Sequence, residues 1–174
     1  MSGDAGTAIG SALYGHYCRN GGRYDPHKIK SVYWGKSYSD LETENALKKN
    51  EENIAWSKQT TEEVAETAAL KLKSGQILGW FQGGCEAGPR ALGNRSILAD
   101  PRRKNMKDIL NSRVKFRESF RPFAPSVLQE YAKDYFETDG TEYPFMLFVH
   151  PVKESKKSVI PAVTHVDGTA RIQT

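Results

Sequence analysis

Small and apolar residues recur at helical spacing near the start of the chain and predict a helix there. The positions are Ala5, Ala8, Ile9, Ala12 and Leu13. A face of such small residues packs tightly against a neighbouring element, and little further along the chain is an obvious partner for it. We therefore assign residues 1–22 to the end of a preceding domain. Residues 23–30, which combine glycine and proline signals with polar neighbours, are predicted to be a linker.

After residue 30 the pattern alternates between strand-like and helix-like segments, which is typical of an α/β or α+β domain. Short runs of apolar and β-branched residues predict seven strands. They cover residues 31–38, 54–56, 77–81, 96–99, 126–128, 145–149 and 167–173.

The clearest predicted helix begins at a capping box that Thr60 and Glu63 form, and Gly75 supplies its stop. Ser39 or Asp40 caps an earlier, solvated helix over Leu41–Lys49.

Asp100 and Pro101 are a fitting N-cap and first position for a third helix. We expect this helix to turn Met106, Ile109, Leu110 and Val114 inward. A short helix over Tyr131–Phe136 completes the predicted elements.

Composition limits the class of protein. With 174 residues, of which 38% are hydrophobic, the chain is predicted to form one globular domain with a small appendage. No apolar run approaches the roughly 20 residues of a membrane span, and no signal-peptide pattern is visible, so we expect a cytoplasmic protein without a membrane partner. Cys18 and Cys85 lie far apart and outside CxxC spacing, which argues against a disulfide framework or a zinc knuckle.

The net charge of +4 is concentrated between Arg90 and Arg121, where ten lysines and arginines face three acids. The basic residues are Arg90, Arg95, Arg102, Arg103, Lys104, Lys107, Arg113, Lys115, Arg117 and Arg121. Glycines and prolines flank them, so a site for a polyanion could be built here. Charge alone does not choose between nucleic acid and a phosphorylated small molecule.

The glycine-rich loop 83–95 follows a predicted strand, as phosphate-binding loops do, but matches neither GxxxxGK[ST] nor GxGxxG. Gly88 and Pro89 constrain the backbone before Arg90, which lowers the cost of ordering its guanidinium. Arg90 and Arg95 are five positions apart, so one could hold a ligand while the other braces the loop. For either arginine alone, a surface salt bridge is the competing interpretation.

Basic and aromatic residues alternate in the runs 115–117 and 120–122. In an extended segment this alternation places Lys115, Arg117 and Arg121 on one face and Phe116 and Phe120 in the core. Such a cationic face could orient phosphates and stabilise the charge that develops during adenylyl transfer.

Three weaker sites complete the candidate chemistry. His165 and Asp167 lie on the same side of a predicted strand, where a structural hydrogen bond is favoured over an acid/base pair. Thr169 and Arg171 could add one more hydroxyl and one more cation to the site that the arginines form. Glu86 could bind Mg²⁺ or pair with an arginine, and we favour pairing.

Four blocks of sequence resemble the C-terminal part of the carbamoyltransferases typified by the nodulation protein NodU and the antibiotic O-carbamoyltransferases. They are GWFQG (79–83), GPRALGNRSILADPR (88–102), VKFRESFRPFAPSVL (114–128) and HVDGTARIQT (165–174). The opening GDAGTAIGSALY resembles the last helix of the family's Kae1-like domain, and YWGKSYSD (33–40) resembles the start of its YrdC-like domain. The resemblance implies that residues 31–174 form an α/β (α+β) YrdC-like domain with a twisted mixed sheet and flanking helices. It also implies a fragment whose C-terminus is truncated and which is inactive alone.

In that family the YrdC-like domain makes carbamoyl-adenylate from ATP and carbamoyl phosphate. The Kae1-like domain, which carries a metal ion, passes the carbamoyl group to an acceptor hydroxyl. The resemblance therefore implies ATP and Mg²⁺ as cofactors and a small hydroxyl-bearing acceptor as partner. It places adenylate-site cations on Arg90, Lys115, Arg121 and Arg171, with Lys115 and Arg121 in the catalytic role. Arg95 and Arg117 join them as cofactor-binding candidates.

Two other interpretations remain open. The first is a non-catalytic RNA-binding module, since a basic surface with aromatic side chains can hold single strands. Exposed rings at Phe116, Phe120 and Phe123 would favour RNA, which is the less favoured partner, and buried rings would favour nucleotides. The second is a structural or regulatory lobe with an altered site, because Gly84-Cys85 replaces the basic and apolar pair that is common in the family.

Overall fold

A computed structural model describes residues 4–19, 21 and 31–174. The chain divides into two compact units, the first of residues 1–57 and 81–96 and the second of residues 58–80 and 97–174. The predicted linker 23–30 lies outside the described residues, and the predicted domain boundaries stay a prediction.

The helices of the first unit are where the sequence predicts them. Helix α1 spans Asp4–Tyr14 and continues as a π-helix over Gly15–Arg19. Helix α2 spans Asp40–Lys48. Ser39 is its N-cap, because the Ser39 side chain accepts the Glu42 N–H while the Glu42 carboxylate accepts the Ser39 N–H. Within the described residues, no helix has both the length and the apolar composition that crossing a bilayer requires.

Two strands predicted in the first unit do not form. Residues 31–38 have no regular strand, and instead lie along the glycine-rich loop, where the Gly35 N–H donates to the Cys85 carbonyl at 2.9 Å and the Ala87 N–H donates to the Val32 carbonyl. Residues 54–56 are also irregular, with Ile54 exposed. In both cases local β-propensity is not matched by a neighbouring strand, and propensity without pairing does not make a sheet.

In the second unit, helix α3 spans Thr61–Lys73 and confirms the capping box of Thr60 and Glu63. Gly75 follows with φ +90°, the left-handed conformation that ends many helices.

The predicted helix start at Asp100-Pro101 is wrong. The Asp100 carboxylate accepts the Arg102 N–H at 3.0 Å and the Arg102 guanidinium at 2.7 Å, so it stabilises a turn instead of capping a helix. Helix α4 spans only Met106–Ile109 and continues as a π-helix over Leu110–Lys115.

The strands pair two by two. Strand β1 (Leu78–Phe81) pairs with β2 (Arg95–Leu98), and β3 (Val149–Pro151) pairs antiparallel with β4 (Thr169–Arg171). The mixed α+β class is confirmed, but among the described residues these two small sheets take the place of one larger twisted sheet. The predicted strand 126–128 is reduced to a single bridge from Ser126 to Gln173. The predicted strand 145–149 begins only at Val149, because the chain turns at Met146 with φ +52°.

Helix α5 spans Ala132–Tyr135 and helix α6 spans Glu154–Lys157. The main core of the second unit includes Ala170 of β4, and Tyr135 of α5 packs against this core. The buried residues of this core are Phe136, Tyr143, Val152, Ile160, Val163, Ala170 and Ile172. Arg171, on β4, therefore lies between two residues that are fully buried, Ala170 and Ile172.

Ile172→Ala should lower the free energy of unfolding by about 2–5 kcal/mol, because it opens a cavity at a side chain with 0% exposure. Chemical denaturation monitored by circular dichroism measures the change. Ile97→Ala, at a site that is 39% exposed, is the matched control and should cost much less. Equal losses in the two variants would contradict this assignment of the core.

Candidate anion-binding site

Glu86 holds together the loop that contains Arg90. Its Oε1 accepts the backbone N–H groups of Leu92, Asn94 and Arg95 at 2.7, 2.8 and 3.2 Å. Burial raises the pKa of this carboxyl, but the N–H donors outweigh burial and leave the pKa below its ordinary value. The predicted pairing of Glu86 with an arginine side chain is therefore wrong. The carboxylate is occupied by the loop backbone.

Asn94 and Gly84 close the same loop. The buried Asn94 side chain donates to the Gly84 carbonyl at 2.7 Å. A Cβ at Gly84 would lie 2.7 Å from the Tyr33 carbonyl oxygen, so a larger residue there would displace the chain segment that carries Tyr33. The Tyr33 hydroxyl in turn donates to the Leu92 carbonyl at 2.8 Å.

Arg95 is the brace of this loop. Its guanidinium lies over the Phe81 ring, 3.5 Å from the centroid, and donates to the carbonyls of Gln82, Asn94 and Gly83 at 2.6, 2.7 and 3.1 Å. Three N–H bonds to the backbone and a ring contact fix the side chain in one orientation.

Arg90 is different. It is half-buried, follows Gly88 at φ +125°, and makes no hydrogen bond or ion pair with the residues that the structure describes. Of the two possibilities that the sequence left open for this pair, Arg95 is the one that braces the loop. The guanidinium of Arg90 is left with its donors unused by the described protein atoms.

In the second unit, the expected basic face of residues 115–121 is not built by an extended strand. Phe116 caps the π-helix at φ +48° and is 82% exposed, and Phe120 is 78% exposed. A turn follows, in which the Arg121 N–H donates to the Glu118 carbonyl at 3.2 Å. The prediction that Phe116 and Phe120 enter the core is wrong, because strand alternation does not apply to a helix end followed by a turn.

The three cations of this segment have different environments. Arg117 is half-buried, stacks 4.7 Å from the centre of the Phe123 ring, and donates from Nε to the Asn111 side chain at 2.7 Å. The side chain of Lys115 is exposed and has no hydrogen bond or ion pair to the described residues. Arg121 is exposed and lies 3.8 Å from a Glu118 carboxylate oxygen, which is a loose, solvated pair.

His165 and Asp167 are linked through Thr169, so the structural interpretation of this pair is supported. Thr169 Oγ1 donates to Asp167 at 2.7 Å and lies 3.2 Å from His165 Nδ1. The segment is a turn with Gly168 at φ +80°, not a strand. Burial lowers the pKa of His165, and the positive charge of Arg171 acts in the same direction. The half-buried Arg171 is thus electrostatically coupled to this turn.

A groove of about 600 Å³ in the second unit has a mainly apolar and aromatic lining that includes Leu128, Tyr131, Tyr135 and Ile160. No predicted site residue lines it. The predicted cations are instead divided between the units. Arg90 and Arg95 belong to the first, and Lys115, Arg117, Arg121 and Arg171 belong to the second. That they form one site stays a prediction.

Comparison with known proteins places the chain. The family description "Carbamoyltransferase C-terminus" matches residues 69–174, which include the basic segment, the His165 turn and β4. The chain belongs to the carbamoyltransferase family. The prediction made from the four sequence blocks is confirmed at this level.

Relatives of this carbamoyltransferase chain include the nodulation protein NolNO of Sinorhizobium fredii, which is 49% identical over 98% of the chain and 25% of its own length. The nodulation protein NolO of Bradyrhizobium diazoefficiens is 50% identical over 98% of the chain and 31% of its length. The 3'-hydroxymethylcephem-O-carbamoyltransferase of Amycolatopsis lactamdurans is 39% identical over 98% of the chain and 30% of its length. The chain thus spans between a quarter and a third of these relatives.

Glu86→Gln should lower the free energy of unfolding at pH 7 by about 2 kcal/mol, because the loop N–H groups lose a charged acceptor. The native pKa of Glu86 is lowered, so its contribution is present above the unfolded-state pKa, about 4.3, and is lost as the pH falls through the native value. The difference between wild type and variant should therefore shrink in acid. Urea unfolding at a series of pH values measures it.

Glu118→Gln is the control, since this exposed carboxylate has only the loose contact with Arg121. A pH-independent difference for Glu86→Gln would contradict the assigned role of the carboxylate.

Proposed function

We propose that this chain is the YrdC-like, adenylate-forming part of an O-carbamoyltransferase. It binds ATP, Mg²⁺ and carbamoyl phosphate. Carbamoyl-adenylate forms on it as carbamoyl phosphate loses its phosphate to water and ATP releases pyrophosphate. The carbamoyl group then passes to a hydroxyl of a small-molecule acceptor, and AMP leaves. Family membership supports the transferase class, and a relative whose name specifies O-carbamoyl transfer supports the acceptor class. A metal-bearing Kae1-like domain and a cytoplasmic location belong to the same proposal.

The observation that carries the proposal is that some of the cationic side chains are bound to the protein and others are not. Arg95 and Arg117 are fixed by carbonyl, amide and ring contacts, whereas Arg90 and Lys115 have no partner among the described residues. Unpaired cationic groups beside rigid loops fit the phosphates of ATP and carbamoyl phosphate, because little ordering remains to be done when the ligand binds.

In this proposal ATP and Mg²⁺ supply the activated phosphate at which adenylyl transfer occurs. The chain's own residues bind and orient the phosphate groups. Lys115 and Arg121, which are exposed and near each other in sequence, are the proposed catalytic cations that stabilise the developing negative charge. Arg90 and Arg171 are proposed to hold phosphate oxygens.

Arg90→Ala and Lys115→Ala should each weaken the binding of ATP–Mg²⁺ or carbamoyl phosphate about 10- to 100-fold, the effect of one charge-assisted hydrogen bond. Calorimetric titration of the chain measures the affinities. The reaction is followed in a complete carbamoyltransferase that carries the same substitutions. The assay there is the carbamoyl-phosphate-dependent exchange of labelled pyrophosphate into ATP.

Arg113→Ala and Lys104→Ala are the matched controls, because both remove an exposed positive charge from the same basic segment. If Arg90→Ala and Lys115→Ala match these controls in ligand affinity and in pyrophosphate exchange, the assignment of Arg90 and Lys115 to the phosphate site fails.

The exposure of Phe116 and Phe120 favours a second candidate function, in which the segment binds single-stranded RNA by stacking. Under that hypothesis, a Phe116→Ala/Phe120→Ala double variant should lose saturable binding of labelled single-stranded RNA, and wild-type binding should weaken steeply with salt. Fluorescence titration at several salt concentrations measures both. RNA binding that is absent, or equal in the two proteins, would leave the nucleotide proposal as the better account.

A further inference from the structure

Asn111 is one of the three largest side chains that are almost completely buried, with 1% exposure, and it is the only amide among them in the described chain. A buried amide must have hydrogen-bond partners, because an unpaired donor or acceptor in the interior is costly. The partners of this amide all lie in the segment that follows the helix, which carries the supporting Arg117 and the proposed catalytic cation Arg121.

The amide nitrogen of Asn111 donates to two backbone carbonyls, those of Ser119 at 3.3 Å and Arg121 at 3.0 Å. Its side-chain oxygen accepts Nε of Arg117 at 2.7 Å, and its own backbone carbonyl accepts the Arg117 N–H at 3.0 Å. All three side-chain hydrogen bonds of the amide are therefore directed to residues 117–121. One side chain fixes both ends of this loop.

This arrangement acts on the two arginines in different ways. Arg117 is held at its side chain, between the Asn111 oxygen and the Phe123 ring. Asn111 contacts Arg121 only at the backbone carbonyl. The Arg121 side chain therefore stays exposed, with its loose contact to Glu118, while the backbone from which it extends is held in place. A rigid backbone under a solvated cation lowers the entropy lost when that cation meets an anion.

The left-handed Phe116 shows that the loop needs such a clamp. A phenylalanine at φ +48° is a strained conformation that persists only when its surroundings enforce it. The bonds from Asn111 to residues 117, 119 and 121 lie immediately beyond it. They offset the cost of reversing the chain at this position.

We infer that Asn111 is the positioning residue for Arg117 and Arg121, and that it sets the affinity of the basic loop for phosphate without touching the ligand. The inference rests on the proposed function for its readout, and on the hydrogen bonds of Asn111 for its geometry. Nothing in the basic character of the segment identifies this neutral residue.

Asn111→Asp is the informative variant because it keeps the size of the side chain and the acceptor for Arg117. It replaces the donor to the Ser119 and Arg121 carbonyls with a second oxygen, which repels them. We expect the affinity for ATP–Mg²⁺ to fall about tenfold, close to the loss in Arg121→Ala. Asn111→Ser, which is too short to reach the carbonyls and adds no charge, should show the same loss.

A double-mutant cycle separates positioning from general destabilisation. If Asn111 acts through Arg121, Asn111→Asp should cost little further affinity in an Arg121→Ala background, but its full amount in an Arg90→Ala background. Ser112→Ala is the matched control and should bind ATP–Mg²⁺ like wild type, since the Ser112 hydroxyl donates to the backbone carbonyl of Asp108 in the helical segment and not to residues 117–121. Calorimetric titration measures all affinities.

Wild-type affinity in Asn111→Asp or Asn111→Ser would overturn the inference, and so would a loss that adds in full to that of Arg121→Ala. If the wild-type chain binds no ATP–Mg²⁺, the proposed function fails but the clamp is still tested by hydrogen exchange. The amides of Arg117 and Arg121 should be protected in wild type and should exchange faster in Asn111→Ser. Unprotected amides in wild type, or equal exchange in the two proteins, would overturn it.

Discussion

A loop without regular hydrogen bonding still has to satisfy its backbone N–H and C=O groups wherever it is shielded from water. Among the described residues, Glu86, Asn94 and Asn111 are three of the polar side chains that meet this requirement. Glu86 accepts three N–H groups of loop 83–95, Asn94 donates to a carbonyl of the same loop, and Asn111 donates to two carbonyls of the loop after α4. The basic residues lie on backbones that these side chains fix.

As a consequence, the cations of each unit have two different roles: some support a loop and others are left for a ligand. In the first unit the Arg95 guanidinium donates to backbone carbonyls and lies over the Phe81 ring, whereas the Arg90 side chain has no such partner among the described residues. In the second unit the Arg117 guanidinium donates to Asn111 and stacks on the Phe123 ring, whereas the Lys115 side chain has no partner among the described residues. In both units one guanidinium supports the loop on which another cation is presented. A basic segment of this kind differs from a solvated charged surface, where cations contribute little structure.

The exposed rings of Phe116 and Phe120 follow from the same constraint. Once Asn111 fixes the loop and Phe116 takes the left-handed conformation, the alternating pattern of rings and cations no longer sorts them between core and solvent. Only Phe123, which supports Arg117, is partly buried against the core of the second unit. Aromatic residues at such positions are available to stack on a partner, and this exposure is the observation that favours the RNA hypothesis.

The sequence by itself determined the features whose partners are close along the chain. The capping boxes of Ser39 with Glu42 and Thr60 with Glu63 join residues three positions apart, so a local pattern is sufficient to predict them. The family also follows from sequence, since the carbamoyltransferase C-terminus family matches residues 69–174. Only the tertiary structure decided the partners of Glu86 and Asn111, and the irregular backbone of residues 31–38. Those depend on groups that are several to many residues apart and are brought together by turns, and neither hydrophobic periodicity nor charge reports which backbone group a buried polar side chain will meet.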